Sequence, residues 1–204
     1  MIPLKVYGVS APEKRAGNGE SWVVPRKECL SSLFCRDEGF IFLGGFMDLT
    51  FKTQAGVFNY RVCAIILHNQ ALLATKNQGT PYFYLPGGRV KMHETAEAAM
   101  ERELFEELGI HGKIVRPLWL NQGFFTEDVT QERFHELCIY YLVDISGTEL
   151  PSRGKSFIRT EGEKSYLYEW LPITKLKDEY LYPLFIKEKI HDLPQNLTML
   201  AEYE

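Results

Sequence analysis

A glycine turn leads directly into an acidic helix in residues 85–110. The turn is written Leu-Pro-Gly-Gly, and the helix is predicted from about Thr95 to Leu108. With 3.6 residues per turn, Glu103, Glu106 and Glu107 fall on one face of that helix. Like charges at this spacing repel each other, so the pattern favours a bound cation. Three hard oxygen donors indicate Mg²⁺ or Mn²⁺ rather than zinc.

The apolar residues of the same segment indicate whether the acidic helix packs against the protein core or is exposed to solvent. An acidic helix without other features is usually a solvent-facing surface. Here Met100, Leu104 and Leu108 form an apolar stripe beside the small residues Ala96 and Ala99. The stripe predicts burial against the core, with the acids held next to it. The glycine directly after Leu108 is typical of a helix end.

The spacing of these residues matches a known family signature. Its fixed positions are Gly88, Glu94, Arg102-Glu103-Leu104, Glu106-Glu107 and Gly109-Ile110. A match at all of these positions is far more specific than a short glycine motif. The chain therefore resembles a Nudix (MutT-like) hydrolase. The resemblance implies an α+β fold, namely the α/β/α sandwich of that family with a mixed β-sheet.

The resemblance also implies a metal site and a reaction. The implied metal ligands are the carbonyl of Gly87 and the carboxylates of Glu103, Glu106 and Glu107. The implied cofactor is Mg²⁺ or Mn²⁺, and Gly88 and Glu94 would support the ligands. The implied reaction is hydrolysis, in which water attacks a phosphorus of a nucleoside diphosphate linked to another group.

The catalytic residues implied by the resemblance are Arg102, Glu103, Glu107 and Glu136. Arg102 is expected to pair with a carboxylate such as Glu94 or Glu103 and to fix its rotamer. Glu136 begins an apolar segment outside the box, where a carboxylate needs a metal, an arginine or solvent beside it. The neighbouring His135 is expected to be a hydrogen-bonded strand residue. Glu103, Glu107 and Glu136 all remain candidates for the general base.

Two arginines outside the helix are candidates for binding substrate phosphate. Arg61 interrupts an apolar segment, where its guanidinium could bind phosphate in a bidentate manner or be a surface charge at a sheet edge. Arg89 directly follows the glycine turn, where it could contact phosphate or be solvated. His93 precedes Glu94 at a position where relatives often have glycine, so its side chain could reshape the entrance or add a donor.

Composition limits the partners. The 204 residues are 45% hydrophobic and 25% charged, with a net charge of −4, which fits one well-buried core. The negative charge gives no attraction to polymeric nucleic acid or to an anionic membrane, which disfavours both as partners. A small nucleotide is the partner that the family resemblance implies. No segment has the length of a membrane span, and the N-terminus lacks a secretion signal.

Four cysteines show neither CxxC pairs nor the spacing of a metal finger: Cys29, Cys35, Cys63 and Cys138. Two of them lie in apolar, strand-like segments. The pattern is typical of reduced, structural thiols, and we expect a cytoplasmic protein.

The chain is predicted to divide at Met47. Prolines and glycines break residues 1–46 into short pieces, with one strand-like segment at residues 40–43. We interpret residues 1–46 as an N-terminal extension of unknown role and residues 47–204 as the Nudix hydrolase domain. The alternative is that residues 40–46 pair with the domain, or with a second subunit in a homodimer.

The other elements are predicted from apolar periodicity and turn residues. Strands are expected at residues 60–67, 71–75, 82–85, 113–125, 134–143 and 166–171. Residues 150–164 are expected to form a loop. Helical segments are expected at residues 172–176 and 182–190, the second opened by Pro183.

The sequence limits the substrate only to a class. Family subclasses for ADP-ribose, dinucleoside polyphosphates or NADH carry motifs downstream of the box, and Phe-Phe-Thr-Glu-Asp at residues 124–128 matches none of them. Five aromatic residues could stack on a nucleobase, although core packing is the expected role of each one: Tyr82, Tyr84, Phe124, Phe125 and Phe134. A nucleoside triphosphate or a related nucleotide diphosphate derivative is the predicted substrate.

Two other functions are compatible with the same fold. One is an enzyme like isopentenyl diphosphate isomerase, and the other is a non-catalytic nucleotide-sensing domain. The intact set of glutamates disfavours a pure sensor, and analysis of the reaction products would separate hydrolysis from isomerisation.

Overall fold

A mixed sheet of nine strands forms the centre of the described part of the chain. The structure is a computed structural model that describes residues 47–162 and 164–204. The strands are β1 (Thr50–Thr53), β2 (Gly56–His68), β3 (Ala71–Asn77), β4 (Gly87–Arg89), β5 (Lys113–Thr126), β6 (Arg133–Asp144), β7 (Ser156–Glu161), β8 (Lys164–Pro172) and β9 (Thr198–Tyr203). The helices are α1 (Ala96–Leu108) and α2 (Ile186–Lys189), with 3₁₀ turns at Leu150–Arg153 and Ile173–Asp178.

The order of strands across the sheet is β7-β8-β3-β2-β6-β5-β9, and β1 and β4 also pair with β2. The pairs β2–β6 and β5–β9 are parallel, and the other pairs are antiparallel. The mixed sheet implied by the family resemblance is therefore confirmed.

Strand β2 alternates between two hydrophobic cores. Val62 and Ala64 belong to a core that includes the buried stripe of α1. Cys63 and Ile65 belong to a second core, which includes Ile186 of α2. Successive side chains of a strand point to opposite faces, so the two cores lie on the two sides of the sheet. Helices cover both sides, which confirms the predicted α/β/α sandwich.

Helix α1 begins and ends where the sequence predicts. The side-chain oxygen of Thr95 accepts the Ala98 backbone N–H at 3.2 Å and caps the N-terminus. Gly109 ends the helix in the left-handed conformation, with φ of 65°. The predicted stripe of Met100, Leu104 and Leu108 is buried, as are the two alanines beside it. The prediction of a packed acidic helix is confirmed.

The predicted strand at residues 82–85 is wrong. Phe83 and Tyr84 make only isolated bridges, to Leu181 and Thr75. The strand of this region is β4, whose Gly87–Arg89 backbone pairs with β2. Its regular structure comes from backbone hydrogen bonds to β2, so side-chain periodicity does not reveal it.

The predicted loop at residues 150–164 is also wrong. This region contains a 3₁₀ turn and strand β7, which pairs with β8. The Phe157 ring stacks on Tyr168 with 5.2 Å between ring centroids, which attaches β7 to the sheet. Strand β7 lies at the edge, where polar residues are common, so its composition resembles that of a loop.

The C-terminal part differs from prediction in two ways. The helix expected at residues 182–190 begins only at Ile186, because backbone hydrogen bonds with Phe83 keep Tyr180 and Tyr182 extended. Strand β9 is not predicted from the sequence, and it adds to β5 as a parallel edge strand.

Several predictions lie outside the described residues. They are the extension at residues 1–46, its strand at residues 40–43, the homodimer through residues 40–46, and the state of Cys29 and Cys35. Within the described residues, Cys63 and Cys138 are free, buried thiols. No helix in the described part is long and apolar enough to cross a membrane.

Candidate active site

Two glutamates of α1 pack directly on the glycine turn. The Gly87 backbone N–H donates to Glu107 Oε2 at 2.9 Å. A Cβ added at Gly88 would lie 2.2 Å from Glu103 Oε1, so any side chain there would displace the carboxylate. Gly87 has φ of 142°, which L side chains rarely adopt. The turn requires both glycines because the acids and the β2 backbone approach it so closely.

Arg102 holds the acidic side chains in place. Its Nε and Nη2 donate to the two carboxylate oxygens of Glu94 at 2.8 and 2.9 Å. Its Nη1 donates to Glu103 at 2.6 Å and to Glu106 at 2.9 Å, and its Nη2 also donates to the Arg89 carbonyl at 2.9 Å. The hydrogen bonds from Arg102 hold the pKa of Glu94 below its usual value. The predicted pairing of Arg102 with Glu94 and Glu103 is confirmed.

Glu106 has a different environment from its two neighbours. It is exposed, and it lies between Arg102 and Lys91, whose Nζ is 3.9 Å from its carboxylate. Within residues 47–162 and 164–204, no three acidic, histidine or cysteine side chains converge as a metal cluster. The structure therefore brings Glu103 and Glu107 to the turn and directs Glu106 towards two cationic side chains.

Glu103 and Glu107 nevertheless fit a hard divalent cation. Burial, followed by the charge of Glu103, raises the pKa of Glu107 to about 8. Burial also raises the pKa of Glu103, although Arg102 opposes this effect. Two partly buried carboxylates whose charged forms are disfavoured by burial are oxygen ligands that a divalent cation would stabilise.

The turn before α1 bends at His93, which has φ of 67°. The backbone N–H of Glu94 then donates to the Lys91 carbonyl at 3.1 Å, and the Glu94 side chain accepts the Lys91 N–H at 3.0 Å. His93 is exposed. The conformation is one that glycine favours, which confirms the expected tight turn.

Arg61 faces the site rather than solvent. Its Nη2 donates to the Gly87 carbonyl at 3.1 Å, and its Nη1 lies 3.8 Å from Glu136 Oε2. Its Nε is buried without a hydrogen-bond partner. The alternative of a surface charge at a sheet edge is therefore wrong. The carbonyl of Gly87, an implied metal ligand, accepts this hydrogen bond from Arg61.

Arg61 also lines a cavity of about 330 Å³, a size within the range of small-molecule sites. Glu136, which is 14% exposed, lines the same cavity and contacts Asn59 Nδ2 at 3.4 Å. Arg89 Nε donates to Asn59 Oδ1 at 3.2 Å, and its Nη1 is 3.6 Å from Asp48. The buried Asn59 thus bridges the arginine of the turn and the glutamate of β6.

The NUDIX domain model matches residues 57–190, which include the turn, α1 and most of the cavity. The chain belongs to the Nudix family. Proteins that share a fold differ in substrate, so the substrate class is argued from the residues of the site.

The Nudix chain is similar to the ADP-ribose pyrophosphatase of Methanocaldococcus jannaschii, with 34% identity over 92 residues, or 44% of this chain and 52% of that protein. Matches to two further curated relatives cover 35% and 38% of their lengths, so the chain spans about half or less of these relatives. The crystal structure of a MutT protein from Bacillus halodurans has a TM-score of 0.51 at 14% identity, covering 71% of this chain and 89% of that one. The structural likeness supports the fold alone.

Aromatic residues surround the cavity of this Nudix domain. The five aromatic residues singled out from the sequence are partly buried, and all line the cavity: Tyr82, Tyr84, Phe124, Phe125 and Phe134. The Phe125 and Phe134 rings stack with 5.2 Å between centroids. The Tyr82 hydroxyl donates to Glu127. The expectation that each of them is core packing is wrong, because none of the five belongs to either hydrophobic core and all of them border the cavity.

Sequence reasoning missed several polar residues of the cavity. They are Asn59, Asn121, Glu127, Asp128, Tyr182, Glu202 and Glu204. Asn59 and Asn121 have a weak signal, since each is a polar residue within an apolar strand. Glu202 and Glu204 have none, because their position depends on β9, which the sequence does not predict.

Proposed function

We propose that this Nudix chain is a metal-dependent pyrophosphohydrolase that cleaves a nucleoside diphosphate linked to another group. The observation that carries the proposal is the packing of Glu103 and Glu107 on the glycine turn, beside a cavity lined by Arg61 and Arg89. Carboxylates suited to a cation and guanidinium groups suited to phosphate thus lie next to each other.

Glu103 and Glu107 would hold Mg²⁺ or Mn²⁺, with Glu106 and the Gly87 carbonyl as further ligands. When bound, such a cation lowers the pKa of a coordinated water and neutralises charge on the diphosphate. Arg102 orients Glu103 by a hydrogen bond of 2.6 Å, and glutamates with fixed rotamers bind metal with less loss of conformational freedom.

Arg61 and Arg89 would bind the phosphate groups of the substrate. Each guanidinium is already held by protein acceptors, Arg61 by Gly87 and Glu136 and Arg89 by Asn59. Side chains that are oriented before the ligand arrives lose less entropy on binding. Both would therefore place a diphosphate beside the glycine turn.

Glu136 belongs to the proposed active site although it lies outside the Nudix box. It lines the cavity and is 3.8 Å from Arg61, so its charge has the partner that a partly buried carboxylate needs. Glu103, Glu107 and Glu136 remain the candidates for taking the proton from the attacking water. A small nucleotide is the proposed partner, and a cytoplasmic location agrees with the free thiols of Cys63 and Cys138.

The test is a screen of nucleotide diphosphate derivatives with Mg²⁺ and Mn²⁺, in which both products are identified. Nucleoside triphosphates are included as the proposed class, and ADP-ribose is included because one relative bears that name. We expect release of a nucleoside monophosphate that stops when a chelator is added. Full activity in excess chelator, or rearrangement of a prenyl diphosphate without release, would contradict the proposal.

A further inference from the structure

Beyond the arginines, the cavity continues over β5 and β9, whose side chains phosphate binding does not use. Strand register aligns Glu136 of β6, Gly123 of β5 and Glu202 of β9 in one row. Side chains paired in this way lie on the same face of the sheet. Two carboxylates therefore flank a glycine on the cavity floor.

Gly123 leaves the middle of this row open. A Cβ added there would meet no heavy atom closer than 3.6 Å, an ordinary contact with the Phe125 ring. Glycine in the interior of a strand is destabilising because it has no side chain to pack. Its presence there often marks a place where a ligand approaches the backbone closely. Here the missing side chain leaves room between the two acids.

Asn121 provides a second, independent observation. The residue is 4% exposed and lines the cavity, and its Nδ2 donates to Glu202 Oε2 at 3.1 Å. Its Oδ1 is buried without a hydrogen-bond partner. A buried acceptor without a donor is unfavourable, so a donor supplied by a ligand would stabilise it.

Glu202 offers acceptor capacity beside that oxygen. One carboxylate oxygen accepts from Asn121, and the backbone N–H of Phe185 also hydrogen-bonds to the group. Each carboxylate oxygen has two lone pairs, so further donors can be accepted. Asn121 Oδ1 and Glu202 thus form an acceptor pair, whereas Arg61 and Arg89 bring positive charge to the cavity from β2 and β4.

We propose that Asn121 and Glu202 recognise a guanine-type nucleobase, in which the ring N–H donates to Asn121 Oδ1 and the adjacent exocyclic amino group donates to Glu202. The inference rests on the proposed function, because a nucleotide whose phosphates meet the arginines would extend its base along the cavity. Guanine presents two neighbouring donors, whereas adenine presents an amino group beside a ring acceptor, and hypoxanthine lacks the amino group. An acceptor of the base placed against Asn121 Oδ1 would be repelled.

Equilibrium binding tests the subsite without requiring catalysis. Isothermal titration calorimetry compares GMP, IMP and AMP on the full chain, with chelator present. Burial, followed by the Glu204 charge, raises the pKa of Glu202 to about 7, so the assay is run at about pH 8, where the group is ionised. We expect GMP to bind at least about tenfold more tightly than IMP or AMP. Affinities for GMP and IMP within about threefold of each other would overturn the proposal.

Two variants locate the subsite. Glu202→Gln keeps the shape and is expected to weaken GMP binding about tenfold while changing IMP binding less than about threefold. Gly123→Val is expected to weaken all three nucleotides, because it fills the gap between the acids. Met199→Gln is the matched control, since Met199 lies in the same strand and is 65% exposed. Unchanged GMP selectivity in folded Glu202→Gln would contradict the assignment.

The hydrolysis screen and the binding experiment can contradict the two proposals independently of each other. Selective GMP binding without hydrolysis of any nucleotide would support the subsite and contradict the proposed function. Hydrolysis that proceeds equally with guanine and hypoxanthine nucleotides would support the proposed function and overturn the subsite.

Discussion

Among single residues, Arg102 determines most of the geometry at the acidic turn. Its guanidinium satisfies Glu94 in a bidentate manner and also reaches Glu103 and Glu106. A planar fork with five N–H groups can do this, and the ammonium group of lysine cannot. The residue is therefore a positioning residue for the proposed metal ligands.

Arg102→Lys should weaken both the metal site and the fold. We expect the apparent affinity for Mg²⁺, measured by titrating activity, to fall about 10-fold to 100-fold, as for other groups that orient metal ligands. Lost hydrogen bonds between charged groups should lower the free energy of unfolding by about 1–3 kcal/mol. Arg153→Lys is the control, because Arg153 donates to the Leu108 carbonyl at 2.6 Å and to Glu149 rather than to the glutamates that Arg102 contacts. A normal metal requirement in Arg102→Lys would argue for a purely structural role.

Glu107→Gln should abolish most activity without harming the fold. Glu107 is held by the Gly87 N–H beside the Glu103 charge, and burial raises its pKa to about 8. Loss of a metal-binding carboxylate should lower turnover by on the order of 10²-fold. Glutamine keeps an acceptor for the Gly87 N–H and carries no charge that burial would disfavour, so the melting temperature should be unchanged or higher. Glu101→Gln, at an exposed position of the same helix, should alter neither quantity. Parallel losses of turnover and melting temperature in Glu107→Gln would indicate a structural role.

Glu136→Gln and Arg61→Ala should affect different kinetic constants. We expect Glu136→Gln to lower kcat by on the order of 10²-fold if it is the base or a ligand. Arg61→Ala should act mainly on KM, because it removes a phosphate-binding fork. The two groups are 3.8 Å apart, so the double variant should lose less than the product of the single effects. Multiplicative effects would show that the pair does not act together.

At the scale of elements, the parts of the fold with strong local patterns are predictable and the others are not. Helix α1 and strand β2 carry capping residues or long apolar runs, and the structure agrees with both predictions. Strands β4, β7 and β9 are short or lie at an edge, and they exist because a neighbouring strand supplies hydrogen bonds. Local sequence does not encode such pairing.

The candidate site divides in the same way. Sequence spacing alone brings together the three residues of α1, which are Arg102, Glu103 and Glu107. Asn121 and Glu202 meet only through the parallel pairing of β5 with β9, across 81 positions of the sequence. Their contact depends on long-range register, which a single sequence does not determine.

Strand β9 should make stability depend on pH through Glu202. Burial, followed by Glu204, raises the pKa of Glu202 from 4.5 to about 7. Between these values the unfolded chain loses the proton and the folded chain keeps it, so this stabilising contribution is complete below pH 4.5 and is lost as the pH rises through about 7. Glutamine does not titrate, so the free energy of unfolding of Glu202→Gln minus that of the parent should increase as the pH is raised from about 4 to about 8. Chemical denaturation at a series of pH values measures this difference. A constant difference across that range would contradict the prediction.

At the scale of the whole molecule, residues 47–204 contain both cores and all of the proposed site residues. If residues 1–46 are an extension outside this domain, a protein that begins at Met47 should fold and retain hydrolysis, because truncation is tolerated where few buried contacts are lost. Circular dichroism and the nucleotide screen, run beside the full chain, test this expectation. An insoluble or inactive product would show that residues 1–46 complete the sheet or an interface with a second subunit.

The position of Glu204 affects how the protein should be handled. Its backbone N–H donates to the Phe124 carbonyl at 3.0 Å, its carboxylate accepts the Leu184 N–H at 2.8 Å, and it lines the cavity. Any segment joined after Glu204 would leave from the rim of that opening. A polyhistidine purification handle placed there would carry imidazoles, which bind transition metals such as Mn²⁺, to the entrance used by the nucleotide. Measurements of metal requirement should therefore use a protein without such a handle after Glu204.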